Sequence, residues 1–457
     1  MPTLIRSISG IRGVVGETLL PETVVTYVSA FARLCGGSRI VLGRDGRPHG
    51  APCMDIARAA LAFSGVNVID CGMVPTPTVQ LVTEHSKADG GIVITASHNP
   101  AQWNGLKFLD ADGVFLNEKA NAELFALADT GEFVRAAWSD TGITETRPDV
   151  LDEHIDRVLH SIPADYSAIR ARKFRIAVDA VNASGSVIIP MLLTRLGCSV
   201  IPVACDGSGV FPHIPEPLPQ NLTGLGDAVR REQADLGVAV DPDADRLVLF
   251  TEAGLPFGEE YSITTAVDAL LGITQTPDQP VVAVNLSTTR AVDDIAARHH
   301  ATVVRSPVGE INVVEAIRTH GALIGGEGSG GIIVPAVHAG RDSLVGIVLA
   351  LHALARHDGN ASSYRATLPD YVIRKFRYAV DSRGTADILA ATAQAFAGER
   401  IDDRDGLRID FADGWVHLRA SNTEPIMRLI AEGPTPEQAA TLARHVADVA
   451  FPGGSPL

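Results

Sequence analysis

A chain of 457 residues is too long for one hydrophobic core, and ordinary domain sizes suggest about three domains, give or take one. Hydrophobic residues make up 46% of it, enough to fill a core in each, while a formal charge of −16 argues against nucleic acid, whose backbone rewards clustered Lys and Arg. The longest apolar run, Leu344 to Ala355 with His352 inside it, falls well short of the roughly 18 residues needed to cross a bilayer.

The opening Met1-Pro2-Thr3-Leu4-Ile5-Arg6 lacks the charged region and long apolar stretch of a secretory signal. Five cysteines (Cys35, Cys53, Cys71, Cys198, Cys205) form no CxxC pair, and they read as reduced thiols of a cytoplasmic protein. Strand-like and helix-like segments then alternate, the pattern of βα units around parallel sheets. The first block predicts strands at Arg39 to Leu42, Val66 to Asp70 and Gly91 to Thr95, with helices at Ala51 to Phe63 and Thr78 to His85. A polar stretch near Ser139 to Asp149 marks a boundary.

The second block opens with a helical pattern over Val150 to Ile162 and continues with strands Phe174 to Val178, Ser199 to Val203 and Leu236 to Val240. The third predicts strands Val281 to Val284, Thr302 to Val304 and Ala322 to Ile324, then a helix from Ser343 to Arg356. The last block differs in kind. Gly406 to Phe411 and Trp415 to Arg419 flank Ala412-Asp413-Gly414, a hairpin signal, and the final helix starts at an N-cap, Thr435, with Pro436 first inside and Gln438 completing a capping box. No short-period repeat and no low-complexity tract interrupts the chain.

Four loops carry chemistry. Thr95-Ala96-Ser97-His98-Asn99-Pro100 puts a hydroxyl just past a buried strand, at the carboxyl edge where open α/β sheets collect ligands; Pro100 disfavours helix at Asn99. Asp241-Pro242-Asp243-Ala244-Asp245-Arg246 follows another apolar strand. Its three carboxylates, at alternate positions of what reads as an extended loop, can converge on one hard cation, and without one they would repel. An EF-hand is excluded, because Arg246 stands where that loop needs Gly and Leu247 to Phe250 reads as a strand.

Gly325-Gly326-Glu327-Gly328-Ser329-Gly330-Gly331 lets backbone approach a ligand while Glu327 and Ser329 offer an acceptor and a donor for sugar hydroxyls. Arg419-Ala420-Ser421-Asn422-Thr423-Glu424-Pro425, trailed by Arg428, suits a phosphate dianion. Further positive charge stands in Ser9-Gly10-Ile11-Arg12-Gly13, in Gly43-Arg44-Asp45-Gly46-Arg47 and at Lys107.

These four loops, in this order and spacing, resemble the α-D-phosphohexomutase family over essentially the whole chain. Ile8 to Gly13, Gly326 to Gly331 and Gly340-Arg341-Asp342 look most like its phosphoglucosamine mutase branch. The resemblance implies three consecutive related α/β mixed-sheet domains (1–145, 146–250, 251–367) and a C-terminal α+β domain like the TATA-binding-protein fold (368–457), around a central cleft. Carried over by position, Ser97 would be the phosphorylated residue, and Asp241, Asp243 and Asp245 would hold Mg²⁺ together with a phosphoryl oxygen on Ser97. Arg12, Lys107 and His98 would serve the chemistry beside it. Arg246, Glu327 and Ser329 would face the sugar, and Arg419, Ser421, Asn422, Thr423 and Arg428 its distal phosphate.

One departure stands out: many relatives carry His where this chain has Gly331, and His338, seven residues later, is the candidate to replace it. The implied reaction interconverts hexose 6-phosphate and 1-phosphate through a hexose 1,6-bisphosphate, with glucosamine phosphate the expected substrate and glucose or mannose phosphate the alternative. Two rivals are an Asp241-nucleophile phosphatase and a non-catalytic sugar-phosphate sensor. The expected partners are small sugar phosphates, with neither nucleic acid nor membrane; the assembly, monomer or homodimer, stays open.

Overall fold

In the computed structural model, residues 4–274, 279–421 and 426–457 are described. The chain divides into two compact units. The first runs to Thr274 and resumes from Ser329 to Arg365; the second takes Gln275–Gly328 and Ala366–Leu457.

The first unit contains two sheets. Its larger sheet has seven strands: β1 (Ile5–Ser7), β2 (Gly10–Val14), β3 (Arg39–Arg44), β4 (Asn67–Met73), β5 (Gly90–Ile94), β6 (Trp103–Leu109) and β7 (Thr144–Thr146). They lie in the order β1-β2-β6-β5-β3-β4-β7. Strand β3 is parallel to both β4 and β5, while β6 runs antiparallel between β5 and β2. Alternation along the strands builds a core on each face. Ile40, Leu42, Ile92 and Ile94 pack with Phe31, Leu61 and Leu124 of the helices Pro21–Cys35, Gly50–Phe63 and Glu118–Thr130; Val41, Ile69 and Val93 pack with Val79 and Val82 of Thr76–His85. Each such buried side chain contributes about 1.5–3 kcal/mol.

The smaller sheet runs β11-β10-β8-β9, from β8 (Arg175–Asp179), β9 (Ser199–Ala204), β10 (Leu236–Val240) and β11 (Leu247–Thr251). Strands β10 and β11 form an antiparallel hairpin, closed by Val240 opposite Leu247, so Asp241 to Arg246 is its connecting loop. That loop is a turn rather than the expected extended segment. Ala244 sits at φ 51° and its N–H donates to the Asp241 carbonyl at 2.9 Å, which brings the three carboxylates onto one side by folding instead of by alternation.

The second unit has a parallel arrangement of Thr302–Ser306, Val281–Asn285 and Ile324–Glu327, in that spatial order. Its other sheet is antiparallel, ordered Val372–Ala379, Ile426–Gly433, Gly414–Ala420, Leu407–Phe411, Arg400–Asp402, with helices Gly384–Ala395 and Pro436–Ala450 covering one face. The expected hairpin forms, and the Thr435 hydroxyl accepts the Gln438 N–H at 3.2 Å.

Many elements lie outside the expected set, among them β1, β2, β6, the helices Pro21–Cys35, Glu118–Thr130, Gly185–Arg195, Tyr261–Ile273 and Glu310–His320, and the strands Val372–Ala379 and Ile426–Gly433. The strand expected at Ala322 to Ile324 lies at Ile324–Glu327. Among the described residues, no helix is long and apolar enough to cross a membrane.

Candidate active site

The ends of β3 and β5 lie side by side, Arg44 opposite Ile94, so the residues that follow each strand meet. Asp45 and Arg47 form a fully buried ion pair there. The Thr95 hydroxyl donates to Asp45 at 2.6 Å and itself accepts the Ser97 N–H at 2.8 Å. Arg47 Nη2 donates to the carbonyls of Ser97 (2.8 Å) and Asn99 (2.6 Å). This clamp holds Ser97 at φ 50°, a left-handed conformation that costs a non-glycine residue about 1 kcal/mol or more. The serine loop is therefore shaped by a charged pair that the sequence showed only as generic positive charge.

Ser97 Oγ donates to Asp241 Oδ2 at 2.8 Å, which joins the serine loop to the acidic loop within the first unit. Asp241 Oδ1 accepts the N–H groups of Asp245 and Arg246, both at 3.2 Å. Asp243 Oδ2 accepts from Lys107 Nζ and from the Thr76 hydroxyl, each at 2.7 Å. Asp245 Oδ2 accepts from Arg341 Nη2 at 2.6 Å and lies 3.4 Å from Lys107. The loop carbonyls are held as well: Pro242 by Ser184, Asp243 by the Thr76 N–H, Ala244 by the Ser343 hydroxyl.

The three carboxylates are fully buried and their oxygens cluster within 4.8 Å. Asp243 Oδ1 and Asp245 Oδ1 have no hydrogen-bond partner. Two orphaned carboxylate oxygens on fully buried side chains are costly unless a cation completes them, so the donor set fits a hard divalent ion. Burial, then repulsion from Asp245 and Asp243, pushes Asp241 well above the usual carboxylate range. Burial acts the same way on Asp243, but Lys107 and Thr76 overcome it and hold that carboxyl below its ordinary value.

The other candidates of the first unit surround this centre. Arg12 Nη1 donates to Asn99 Oδ1 at 2.9 Å, and burial lowers its pKa despite Asp243. Arg246 Nε lies 4.0 Å from Asp241 and 3.9 Å from Asp245. His98 Nδ1 is 3.3 Å from Ser97 Oγ; the charge of Arg246, burial and Arg12 together hold the imidazole neutral well below its ordinary pKa. His338 belongs to a different cluster. Its Nε2 lies 3.3 Å from Asp342 Oδ2, which His154 Nε2 also meets at 2.8 Å. The geometry thus turns His338 to Asp342 rather than to the serine loop. Ser329 is half-buried, and Gly330 at φ 91° lies so close to Leu247 that a side chain there would overlap its carbonyl oxygen.

The second unit holds the remaining candidates. Glu327 Oε1 accepts from Asn285 Nδ2 at 2.8 Å and from the Gly309 N–H at 3.2 Å. Arg419 stands directly across from Arg428, and Arg428 directly across from Arg377, a row of three arginines over adjacent antiparallel strands. Like charges placed opposite one another destabilise a sheet, so such a row suits an anion. Arg419 also lies 3.3 Å from Asp405. Ser421 donates its N–H to the Ile426 carbonyl at 2.9 Å, while Asn422 and Thr423 lie outside the described residues.

The sequence alone assigns no role to Thr76, Arg341, Asp45 or Arg47. Only the Asp45–Arg47 spacing carried a local signal; Thr76 and Arg341 reach the acidic loop from far along the chain.

Comparison with known proteins gives the same answer along the whole chain. Models of the phosphoglucomutase/phosphomannomutase α/β/α domains I, II and III match residues 4–135, 152–254 and 258–371, and that of the C-terminal domain matches 378–449. A "Phosphoglucomutase/phosphomannomutase" of Thermococcus kodakarensis is 36% identical, over 94% of each chain. A "Probable phosphoglucosamine mutase" of Methanopyrus kandleri is 34% identical, over 96% of each. The crystal structure of a phosphoglucomutase/phosphomannomutase family protein from Burkholderia thailandensis superposes with a TM-score of 0.86 at 26% identity, covering 99% of this chain and 100% of that one. With all four domain models in order, a buried serine on an acidic triad and relatives this similar over nearly their full length, the chain belongs to the phosphoglucomutase/phosphomannomutase family.

Proposed function

We propose that this enzyme is a phosphohexomutase that carries the phosphoryl group on Ser97, and that glucosamine 6-phosphate and glucosamine 1-phosphate are its preferred pair. The observation that carries the reading is the 2.8 Å hydrogen bond from Ser97 Oγ to Asp241 inside a cluster with two orphaned carboxylate oxygens. Phospho-Ser97 gives its phosphoryl group to a free sugar hydroxyl: the P–Oγ bond breaks as the new P–O bond forms, and the proton the sugar hydroxyl loses is balanced by the one Ser97 Oγ gains, leaving a hexose 1,6-bisphosphate. After the sugar turns over, dephosphorylated Ser97 takes the other phosphoryl group back.

Asp241, Asp243 and Asp245 would hold Mg²⁺, which when bound supplies charge neutralisation for the transferring phosphoryl group. Lys107 and Thr76 orient Asp243, Arg341 orients Asp245, and Arg12 and Arg246 add positive charge beside the serine. Glu327 and Ser329 are assigned to the sugar, and Arg419, Ser421, Asn422, Thr423 and Arg428 to the distal phosphate. His98, held neutral, is assigned to the polar wall of the serine loop. The domains are assigned as 1–145, 146–250, 251–367 and 368–457, and the enzyme as cytoplasmic.

Glucosamine is preferred because the loops Ile8 to Gly13 and Gly326 to Gly331 resemble that branch and because a similar relative bears that name. Glucose and mannose phosphates are the alternative, named in another relative. An Asp241 nucleophile is disfavoured by geometry, since both its oxygens are engaged. The test is kcat/KM for the 6-phosphates of glucosamine, glucose and mannose, each with its 1,6-bisphosphate, together with mass spectrometry of the phosphorylated enzyme. Phosphate on Ser97 and a preference for glucosamine 6-phosphate are expected; an acyl phosphate on Asp241 would overturn the mechanism, and a preference for another hexose the substrate.

A further inference from the structure

The acidic loop leaves its turn at Arg246, which pairs antiparallel with Gly331 at the head of the short strand Gly331–Ile333. Gly331 has no side chain, and that space is used. A β-carbon there would overlap Arg341 Cδ and lie 3.0 Å from its Cγ. The arm of Arg341 therefore crosses the bare backbone of Gly331 before its guanidinium reaches Asp245. Arg341 is only 8% exposed.

The backbone behind it is fixed. Asp342 donates its N–H to the Ile332 carbonyl at 2.8 Å, and its Oδ1 caps the helix Ser343–Arg356 by accepting the Leu344 N–H, also at 2.8 Å. Its Oδ2 meets His154 and His338, and His154 Nδ1 lies 2.9 Å from the Thr78 hydroxyl. Asp342 is thus pinned by both carboxylate oxygens, and Arg341 beside it has little freedom to withdraw.

Two buried cations hold these carboxylates, and although Lys107 reaches both, the shorter bond to Asp245 is that of Arg341. Lys107 takes Oδ2 of Asp243 at 2.7 Å, and Arg341 takes Oδ2 of Asp245 at 2.6 Å. On each carboxylate the other oxygen, Oδ1, is the one without a hydrogen bond. We propose that Arg341, admitted by the missing side chain at Gly331, is the positioning residue that turns Asp245 Oδ1 toward the divalent cation. This rests on the reading of the acidic triad as a metal site. It also accounts for the glycine at the position where the sequence departs from the family pattern: a histidine there would have to displace the arm.

Groups that orient metal ligands are typically worth 10- to 100-fold in metal affinity. The test is Mn²⁺ binding to the dephosphorylated full-length protein, followed by electron paramagnetic resonance, for wild type, Arg341→Gln, Gly331→Ala and the double variant. Folding of each is checked by circular dichroism. Arg341→Gln should weaken Mn²⁺ binding by roughly 10- to 100-fold. Gly331→Ala should do the same by dislodging the arm, and the double variant should lose no more than the weaker single one, because both changes break one contact. Arg341→Lys should recover part of the affinity. Affinity within twofold of wild type in Arg341→Gln, or losses that multiply in the double variant, would overturn the positioning role. A wild-type protein with no saturable Mn²⁺ site would instead overturn the metal reading beneath it.

Discussion

Ser97 Oγ and Asp241 Oδ2 stand 2.8 Å apart, which makes the hydroxyl of one loop the hydrogen-bond donor to the carboxylate of another. Removing the hydroxyl should cost the fold little, about 1 kcal/mol for one hydrogen bond, because the clamp on the serine loop acts through its backbone. Turnover is another matter. Ser97→Ala should lose mutase activity by roughly 10³-fold or more, as expected when the covalent carrier is removed. A coupled assay of 1-phosphate formation checks it, and substantial residual turnover would take Ser97 out of the central role.

The Asp45–Arg47 pair makes a stability prediction. With both side chains fully buried, Arg47→Met should strand Asp45 as an uncompensated charge and cost about 3–5 kcal/mol, read as a lower urea midpoint. Adding Asp45→Asn should recover part of that loss. If Arg47→Met unfolds at the wild-type urea concentration, the pair does not hold the loop.

In the second unit, His417 gives a pH dependence. Its Nδ1 meets the Ser287 hydroxyl at 2.8 Å and its Nε2 the Asp405 carbonyl at 2.6 Å, the pattern of a neutral ring that donates from Nε2. Burial lowers its pKa to about 4. Unfolded, the ring titrates near 6.5, so its contribution is complete above that value and is lost as pH falls from about 6.5 to about 4. The loss is on the order of 3 kcal/mol. Thermal melting followed across that window should drop more steeply in wild type than in His417→Gln; parallel curves would argue against it.

Arg419 lies in the cross-strand row with Arg428 and Arg377. Arg419→Ala should raise KM for a hexose phosphate by roughly 10- to 100-fold, the worth of a charge-assisted hydrogen bond, and leave binding of the unphosphorylated sugar nearly unchanged. Calorimetric titration with both ligands distinguishes them, and equal losses would put the phosphate elsewhere.

Local patterns were enough to find the strand ends that present Ser97 and Asp241, because a five-residue apolar run followed abruptly by polar residues has few alternatives in an α/β chain. The helix Pro21–Cys35 was missed although Pro21 opens it and Gly36, at φ 60°, ends it. Its start lacks the usual polar cap, as Leu20 holds that position. The turn at Ala244 was not legible at all. Nothing in alanine favours a left-handed backbone; the conformation is held by Ser343, 99 residues away, on its carbonyl. Arg341 was hidden for the same reason, since its bond to Asp245 joins positions 96 apart.

Arg47 grips the backbone on both sides of His98, so the peptide that carries Ser97 is anchored like a mooring post and only the serine side chain can swing. A carrier that cannot travel must hand over and receive its load at one berth. Two oxygens at opposite ends of a hexose cannot both dock there in a single pose. On the proposed reaction, the motion between the two transfers therefore belongs to the sugar: the cargo turns round while the quay stays still.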